Sequence, residues 1–210
     1  MNKKVKIVLI PIDNRPVTYC LPGQICKFNE NIEIFLPPRE VMGGLTSNTN
    51  VKLVFDWLKD LFNKEKIDAL ICSFDVIAYG GLIQSRRSNA SFEEITKFLN
   101  EFKLFLSNNK LKVKIYGFSS IMRISNNNIN EEEKEYWNEY GELLYKYSFL
   151  SHRIIECPNK MDTNELDKVS LQIPSEIVND YLTTRDRNFN VNKLYLDWIK
   201  EGLIDYFVYS

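Results

Sequence analysis

The sequence predicts an α/β protein with a parallel sheet. Short apolar runs typical of buried strands alternate along the chain with segments whose apolar residues recur at the helical period of about 3.6 residues. Successive strand candidates are about thirty residues apart, which is the length that a βαβ unit requires. Strands connected in this way are parallel, with right-handed crossovers and helices that cover the sheet.

Five apolar runs are candidate strands. Each is short and is bounded by charged or turn-forming residues, as buried strands usually are. They lie at residues 5–12, 32–36, 67–73, 113–118 and 204–209.

Three segments between these runs are predicted to be amphipathic helices that place their aromatic residues in the core. They cover residues 51–62, 95–106 and 136–147. Ser91 and Glu94 form a capping box before the second helix. Asn130 is the predicted N-cap of the third, because the three glutamates that follow it favour the first turn of a helix.

The alternating pattern breaks between residues 151 and 181. This segment contains Pro158 and Pro174 and only a short helical pattern, so we predict an irregular insertion between the fourth strand and the next helix. A helical region at residues 188–202 then leads into the fifth strand. We therefore predict a single α/β domain over residues 1–210.

Two architectures are compatible with five strands of this kind. The chain could supply the first five strands of a TIM-type barrel, which needs eight strands to close, and would then be a fragment of a longer protein. Alternatively, it could form an open, doubly wound sheet of five strands. We favour the fragment, because the last predicted strand has no loop after it to carry function.

Composition and charge exclude several classes of function. The chain has 27 lysines and arginines against 28 aspartates and glutamates, so no basic surface for nucleic acid or an acidic membrane is indicated. No apolar run approaches the roughly 20 residues of a membrane span, and the first one is too short for a signal peptide. We expect a cytoplasmic protein without nucleic-acid or membrane partners.

Motifs for common cofactors and nucleophiles are missing. The sequence lacks the Rossmann glycine fingerprint, the P-loop and the nucleophile elbow, and we predict no cofactor. Its four cysteines include no C-x-x-C pair, and a single histidine is present, which argues against a zinc site. No metal site is predicted, although carboxylates at one rim could hold a hard cation.

The strongest candidate site follows the third strand, where an α/β protein usually binds its ligand. Asp75 lies between Phe74 and Val76 directly after the apolar run, and an ionised carboxylate there needs a partner or ligand to offset its lost hydration. The other strand ends contribute polar residues to the same edge. The candidate catalytic residues are Asp75 and Asp13, and the candidate substrate-binding residues are Arg15, Tyr79, Gly80, Gly81, Arg86 and Arg123.

Each candidate also has a structural interpretation. Asp13 belongs to a sequence that favours a turn, because Asp and Asn side chains bind their own backbone and proline fixes φ. Gly80 and Gly81 could supply a positive φ. The arginines could form structural ion pairs or bind substrate with two hydrogen bonds.

Five segments resemble an uncharacterised bacterial family catalogued as domain of unknown function 4127. They lie at residues 11–19, 36–44, 73–86, 185–192 and 202–206, and the third is the longest and most specific. The resemblance implies that the chain is the N-terminal part of a longer TIM-type barrel, with an acidic pair after the strand that ends at Ser210.

A barrel with carboxylates at its strand ends is similar to glycoside hydrolases, so the resemblance favours a glycosidase-like hydrolase that is incomplete in this chain. Cleavage of a glycoside needs one acid and a second carboxylate or an acetamido group, and Asp75 and Asp13 are the available carboxylates. The alternative is a non-catalytic domain that binds a small ligand. In both cases the expected partner is a carbohydrate or a similar polar small molecule.

Overall fold

The computed structural model describes residues 4–210, and within them the five predicted strands form one sheet. The strands are β1 (Val5–Ile10), β2 (Ile32–Phe35), β3 (Ala69–Ser73), β4 (Lys114–Ser119) and β5 (Tyr206–Tyr209). All four pairings are parallel, and the order across the sheet is β2-β1-β3-β4-β5. The prediction of an α/β protein with parallel βαβ units is confirmed.

The sheet has the order of the open alternative and not that of a sequential barrel. In a barrel of consecutive βα units, β2 would lie between β1 and β3. Here β1 lies between them, since Ile7 is the register partner of both Ile34 and Ala69. The order 2-1-3-4-5 is that of flavodoxin-like doubly wound sheets. Periodicity could not show this, because a crossover to either side of β1 leaves the same apolar pattern.

Eight helices connect the strands within residues 4–210. They are α1 (Pro16–Cys26), α2 (Val51–Lys64), α3 (Phe74–Tyr79), α4 (Gln84–Arg87), α5 (Phe92–Asn109), α6 (Trp137–Glu156), α7 (Lys160–Ser170) and α8 (Ser175–Lys200), with a 3-10 turn at Arg39–Val41. The predicted capping box is present at the start of α5, where Ser91 and Glu94 accept each other's backbone N–H groups. No helix in this range combines the length and apolar character needed to cross a bilayer.

The chain forms two compact units, where the sequence predicts one domain with an insertion. The first runs to Ile121 and resumes at Asn188, and it contains the sheet. Its core includes an aromatic group in which the Phe74 ring lies 4.7 Å from that of Tyr195 and 5.1 Å from that of Phe207. Gly117 leaves room for this group, because a Cβ atom there would lie 2.5 Å from the Phe207 ring.

The second unit, Met122–Arg187, is helical and has its own core. That core consists of Trp137, Leu144, Leu150, Val169, Ile173 and Tyr181. Residues 151–181 are therefore not irregular, and this prediction was wrong. Pro158 and Pro174 precede α7 and α8 and mark the ends of helices, as proline does. The helical period was hidden because α7 is mostly exposed and Val169 is its only buried apolar residue within the described chain.

The predicted start of the third amphipathic helix was also wrong. α6 begins at Trp137, and Asn130 does not cap it. Instead, the Asn130 carbonyl accepts the backbone N–H of Glu133 in a preceding turn. A run of glutamates favours the first turn of a helix, but it does not require the helix to start there.

Candidate functional site

Three polar residues follow neighbouring strands at equivalent positions of the sheet. One row of register partners crosses β1, β3 and β4 and consists of Ile10, Cys72 and Gly117. Asp13, Asp75 and Ser120 each come three positions after their strand's member of this row. The ends of the parallel strands therefore bring these residues to the carboxyl edge, where doubly wound proteins bind ligands.

Asp75 is buried at this edge and is held by the end of β4. Its side chain lies in the first turn of α3, and the residue is 1% exposed. Oδ2 accepts the backbone N–H of Ser120 at 2.9 Å, and Oδ1 lies 3.1 Å from the hydroxyl oxygen of Ser119. Burial disfavours the ionised form and raises the pKa of Asp75 to about 6, although both serines and the charge of Arg86 oppose this rise.

The last helix, α8, adds Asn192 to the polar cluster that Asp75 forms with Ser119 and Ser120. Its Oδ1 lies 2.9 Å from the Ser119 hydroxyl oxygen, and its Nδ2 donates to the Ser120 carbonyl at 3.2 Å. The Tyr209 hydroxyl donates to the Asn192 backbone carbonyl at 2.8 Å, which fixes α8 to β5 at this point. Asn192 is not among the site residues that the sequence predicts. Its only signal is its position in the fourth segment of the family resemblance.

Tyr195, one turn further along α8, carries a buried hydroxyl group that has no hydrogen-bond partner among residues 4–210. The residue is completely buried. Burial raises the pKa of this phenol well above its usual value, and the nearby Tyr79 and Asp75 raise it further. A buried polar group without a partner costs about 1–3 kcal/mol. The cluster around Asp75 therefore contains an unmet hydrogen bond.

Asp13 is buried as well, but its surroundings favour the ionised form. Oδ2 accepts from Nε of Arg15 at 2.7 Å and from Nη2 at 2.6 Å. Oδ1 accepts the Arg15 backbone N–H at 3.0 Å and the Thr18 hydroxyl. Burial acts to raise the pKa of Asp13, but these donors outweigh it and lower the pKa below its usual value. The contacts are those of the turn interpretation, in which Asp13 stabilises the start of α1.

The loop after β2 contacts the ends of both β1 and β3. Asn14 donates its backbone N–H to the Gly43 carbonyl at 2.8 Å, and Thr49 donates its own to the Gly80 carbonyl at 3.0 Å. A Cβ atom on Gly43 would lie 2.3 Å from the Ser47 carbonyl oxygen, so the loop needs glycine there. In a sheet of this order the crevice between β1 and β3 is the usual ligand site. Here the protein's own loop spans it, and the polar cluster lies further along the edge.

The predicted substrate-binding residues after β3 have structural roles too. Gly80 ends α3 with a φ of 85°, and Gly81 has a φ of 149°, conformations that favour glycine. Arg86 is 5% exposed in α4, and its positive charge acts on Asp75. Tyr79 lies close enough to influence the Tyr195 phenol. Tyr79 and Arg86 therefore belong to the cluster around Asp75.

Arg123 lies in the second unit. Its Nη2 donates to the Glu132 carboxylate at 2.7 Å, and 61% of its side chain is exposed. This contact matches the structural interpretation of an ion pair. A role in substrate binding stays a prediction for Arg123, as it does for Arg15.

The profile of a family described as "Protein of unknown function (DUF4127)" matches residues 7–210. The chain belongs to this family. No curated protein and no solved structure matches it.

Four of the five segments that resembled DUF4127 contain residues that form the contacts of the carboxyl edge. The first contains the turn of Asp13, and the second contains Gly43 of the spanning loop. The third contains Asp75, and the fourth contains Asn192. The fifth, residues 202–206, lies at the start of β5, so four of the five segments contribute residues to the carboxyl edge and one to the opposite edge.

An open cavity of about 440 Å³ lies elsewhere, between α1 and β2. Its walls are formed by Cys20, Gly23, Gln24, Cys26, Lys27, Ile32, Ile34 and Leu36. None of these is a predicted site residue. Within the part of the chain that the structure describes, no three His, Cys, Asp or Glu side chains are grouped to hold a metal ion.

Proposed function

We propose that this DUF4127 chain binds a small polar ligand, such as a carbohydrate, at the carboxyl edge beside Asp75. The observation that carries the proposal is the buried Tyr195 hydroxyl, which lacks a partner and lies near a carboxyl group with a raised pKa. Perturbed titratable groups at strand ends cluster at functional sites. An acceptor oxygen of a ligand would meet the unmet hydrogen bond of Tyr195.

The chemistry of the cluster favours an oxygen-rich ligand. Tyr195 supplies a neutral donor, and Arg86 supplies a cation at the same edge. The hydroxyl and ring oxygens of a sugar can accept such bonds, and an acidic sugar would also pair with the guanidinium. The rings of Phe74 and Phe207 pack against that of Tyr195, and polar contacts are stronger in such apolar surroundings than in water.

The test is ligand-induced thermal stabilisation with a panel of neutral and acidic monosaccharides and methyl glycosides. We expect at least one compound to raise the melting temperature of the wild-type protein and to lose this effect with Tyr195→Phe. Tyr116→Phe is the matched control, because Tyr116 is 38% exposed on β4 and lies in a different part of the sheet. A panel without any response, or an equal response of Tyr195→Phe, would refute the proposal.

A glycosidase-like hydrolase is the second candidate, and the two carboxyl groups favour it. Asp75 has a raised pKa, whereas the equivalent Asp13 has a lowered one. Glycoside cleavage uses one carboxylic acid that is protonated and one carboxylate that is ionised, so the two groups need pKa values that differ. Asp75 would protonate the leaving oxygen. Turnover of aryl glycosides that is unchanged in Asp75→Asn would eliminate this role.

We also propose a cytoplasmic location. Cysteines in oxidising compartments usually form disulfides. All four cysteines of this chain are free, and Cys72 is buried in the core. Export of the protein to an oxidising compartment with a disulfide between Cys20 and Cys26, detected by mass spectrometry, would contradict this location.

A further inference from the structure

The hydroxyl group of Ser119 lies between two oxygen atoms, each of which can accept a hydrogen bond from it. Its oxygen is 3.1 Å from Asp75 Oδ1 and 2.9 Å from Asn192 Oδ1. A serine hydroxyl has a single proton to donate. With an ionised Asp75, one of the two contacts would bring two oxygens together without a proton between them.

The orientation of the Asn192 amide is set by its other contact. The amide atom that faces the Ser120 carbonyl lies 3.2 Å from it, and a carbonyl oxygen only accepts. This atom must therefore be the nitrogen, which leaves the amide oxygen facing Ser119. Turning the amide over would satisfy Ser119 but would place two acceptors against each other at Ser120.

We propose that Asp75 is held as a neutral carboxylic acid, which donates its proton from Oδ1 to Ser119 so that Ser119 can donate to Asn192. Oδ2 then accepts the backbone N–H of Ser120, and every polar atom in the chain of hydrogen bonds has a partner. Below about pH 6, the proton of Asp75 thus links the ends of β3 and β4 to α8, and the link is lost as the pH rises and the acid ionises. Asp75 acts as a positioning residue through Ser119, whether or not a ligand binds at this edge.

The other groups near Asp75 are compatible with a neutral acid. Cys72 of β3 and Tyr195 of α8 are both buried, and burial raises the pKa of each well above its usual value, so both stay neutral. The positive charge of Arg86 on α4 favours ionisation of Asp75 but does not prevent the rise in its pKa. Neither Cys72 nor Tyr195 therefore changes charge in the pH range in which Asp75 titrates.

The test compares Asp75→Asn with Asp13→Asn in thermal unfolding at about pH 4, where Asp75 is protonated in both the folded and much of the unfolded protein, and at about pH 8. An asparagine reproduces the protonated acid, since its Nδ2 can donate to Ser119 and its Oδ1 can accept from Ser120. We expect Asp75→Asn to melt within a degree or two of the wild type at the lower pH and above it at the higher pH. Asp13→Asn is expected to melt lower at both, because its amide would face the donors of Arg15 and Thr18.

A loss of stability in Asp75→Asn at both pH values, equal to that of Asp13→Asn, would overturn the proposal. The wild-type protein provides a second readout that needs no variant. The side-chain amide signals of Asn192 should shift on raising the pH through about 6, and constant signals would also overturn it. If the protein binds no sugar but the melting temperatures and the Asn192 signals behave as expected, the proposed function is refuted and the proposed protonation of Asp75 is supported.

Discussion

Asp13 and Asp75 follow adjacent parallel strands at equivalent positions, yet their carboxyl groups lie in opposite surroundings. The Asp13 carboxylate accepts hydrogen bonds from Arg15 and Thr18. Asp75 lies beside a hydroxyl group that is shared with a second acceptor, Asn192. The same edge therefore combines a carboxylate that stabilises a turn with an acid that positions the last helix.

Substitution of Tyr195 by phenylalanine removes a buried hydroxyl group that has no partner among residues 4–210. We expect Tyr195→Phe to raise the free energy of unfolding in the absence of ligand by about 1 kcal/mol. Tyr209→Phe is the control, because the Tyr209 hydroxyl donates to Asn192 and its removal should cost about 1 kcal/mol. Denaturant unfolding measures both. Equal destabilisation by the two substitutions would show that Tyr195 has a partner.

Substitution of Gly43 by alanine tests the loop that spans the ends of β1 and β3. The new Cβ atom would lie 2.3 Å from the Ser47 carbonyl oxygen, so we expect a loss of roughly 1–3 kcal/mol in the free energy of unfolding. Gly23→Ala is the matched control within α1, where the nearest atoms would be 3.8 Å away, on Ile34 and Leu36. It should stabilise the protein by about 0.5–1 kcal/mol. A tolerated Gly43→Ala would contradict the packing of the loop.

The ion pairs of Asp205 predict a loss of stability in acid. Burial acts to raise the pKa of Asp205, but the Ile115 backbone N–H and two lysines outweigh it and lower the pKa to about 2. The folded-state pKa lies below the usual value, so this stabilisation is complete above about pH 4 and is lost as the pH falls through about 2. Thermal unfolding of Asp205→Asn should show a deficit at neutral pH that disappears near pH 2. A deficit that is independent of pH would contradict the assignment.

Much of the fold could be predicted from the sequence because its signals are local. The strands and the helices α2 and α5 have clear apolar periods, and the capping box of α5 depends only on Ser91 and Glu94. The order of the strands depends on the side to which each crossover packs, and the apolar pattern of the sequence is the same for either side. The preference for a barrel was wrong for this reason.

The candidate site could be predicted only in part. Asp75 was identified because a carboxylate directly after a buried strand is costly to bury. Asn192 and Tyr195 lie on the long helix α8, where neither polarity nor period shows that a side chain faces the end of a strand. The proton shared through Ser119 depends on distances between three elements that are far apart in sequence.

The most direct test of the central claim is a titration of the aspartate side-chain carbons by ¹³C NMR, with signals assigned from the Asp75→Asn and Asp13→Asn variants. We predict that the Asp75 signal titrates with a midpoint near 6. The signal of Asp13 should remain that of a carboxylate down to at least the usual aspartate value of about 4. An Asp75 signal that titrates together with that of Asp13, at or below about 4, would contradict the neutral acid and the account built on it.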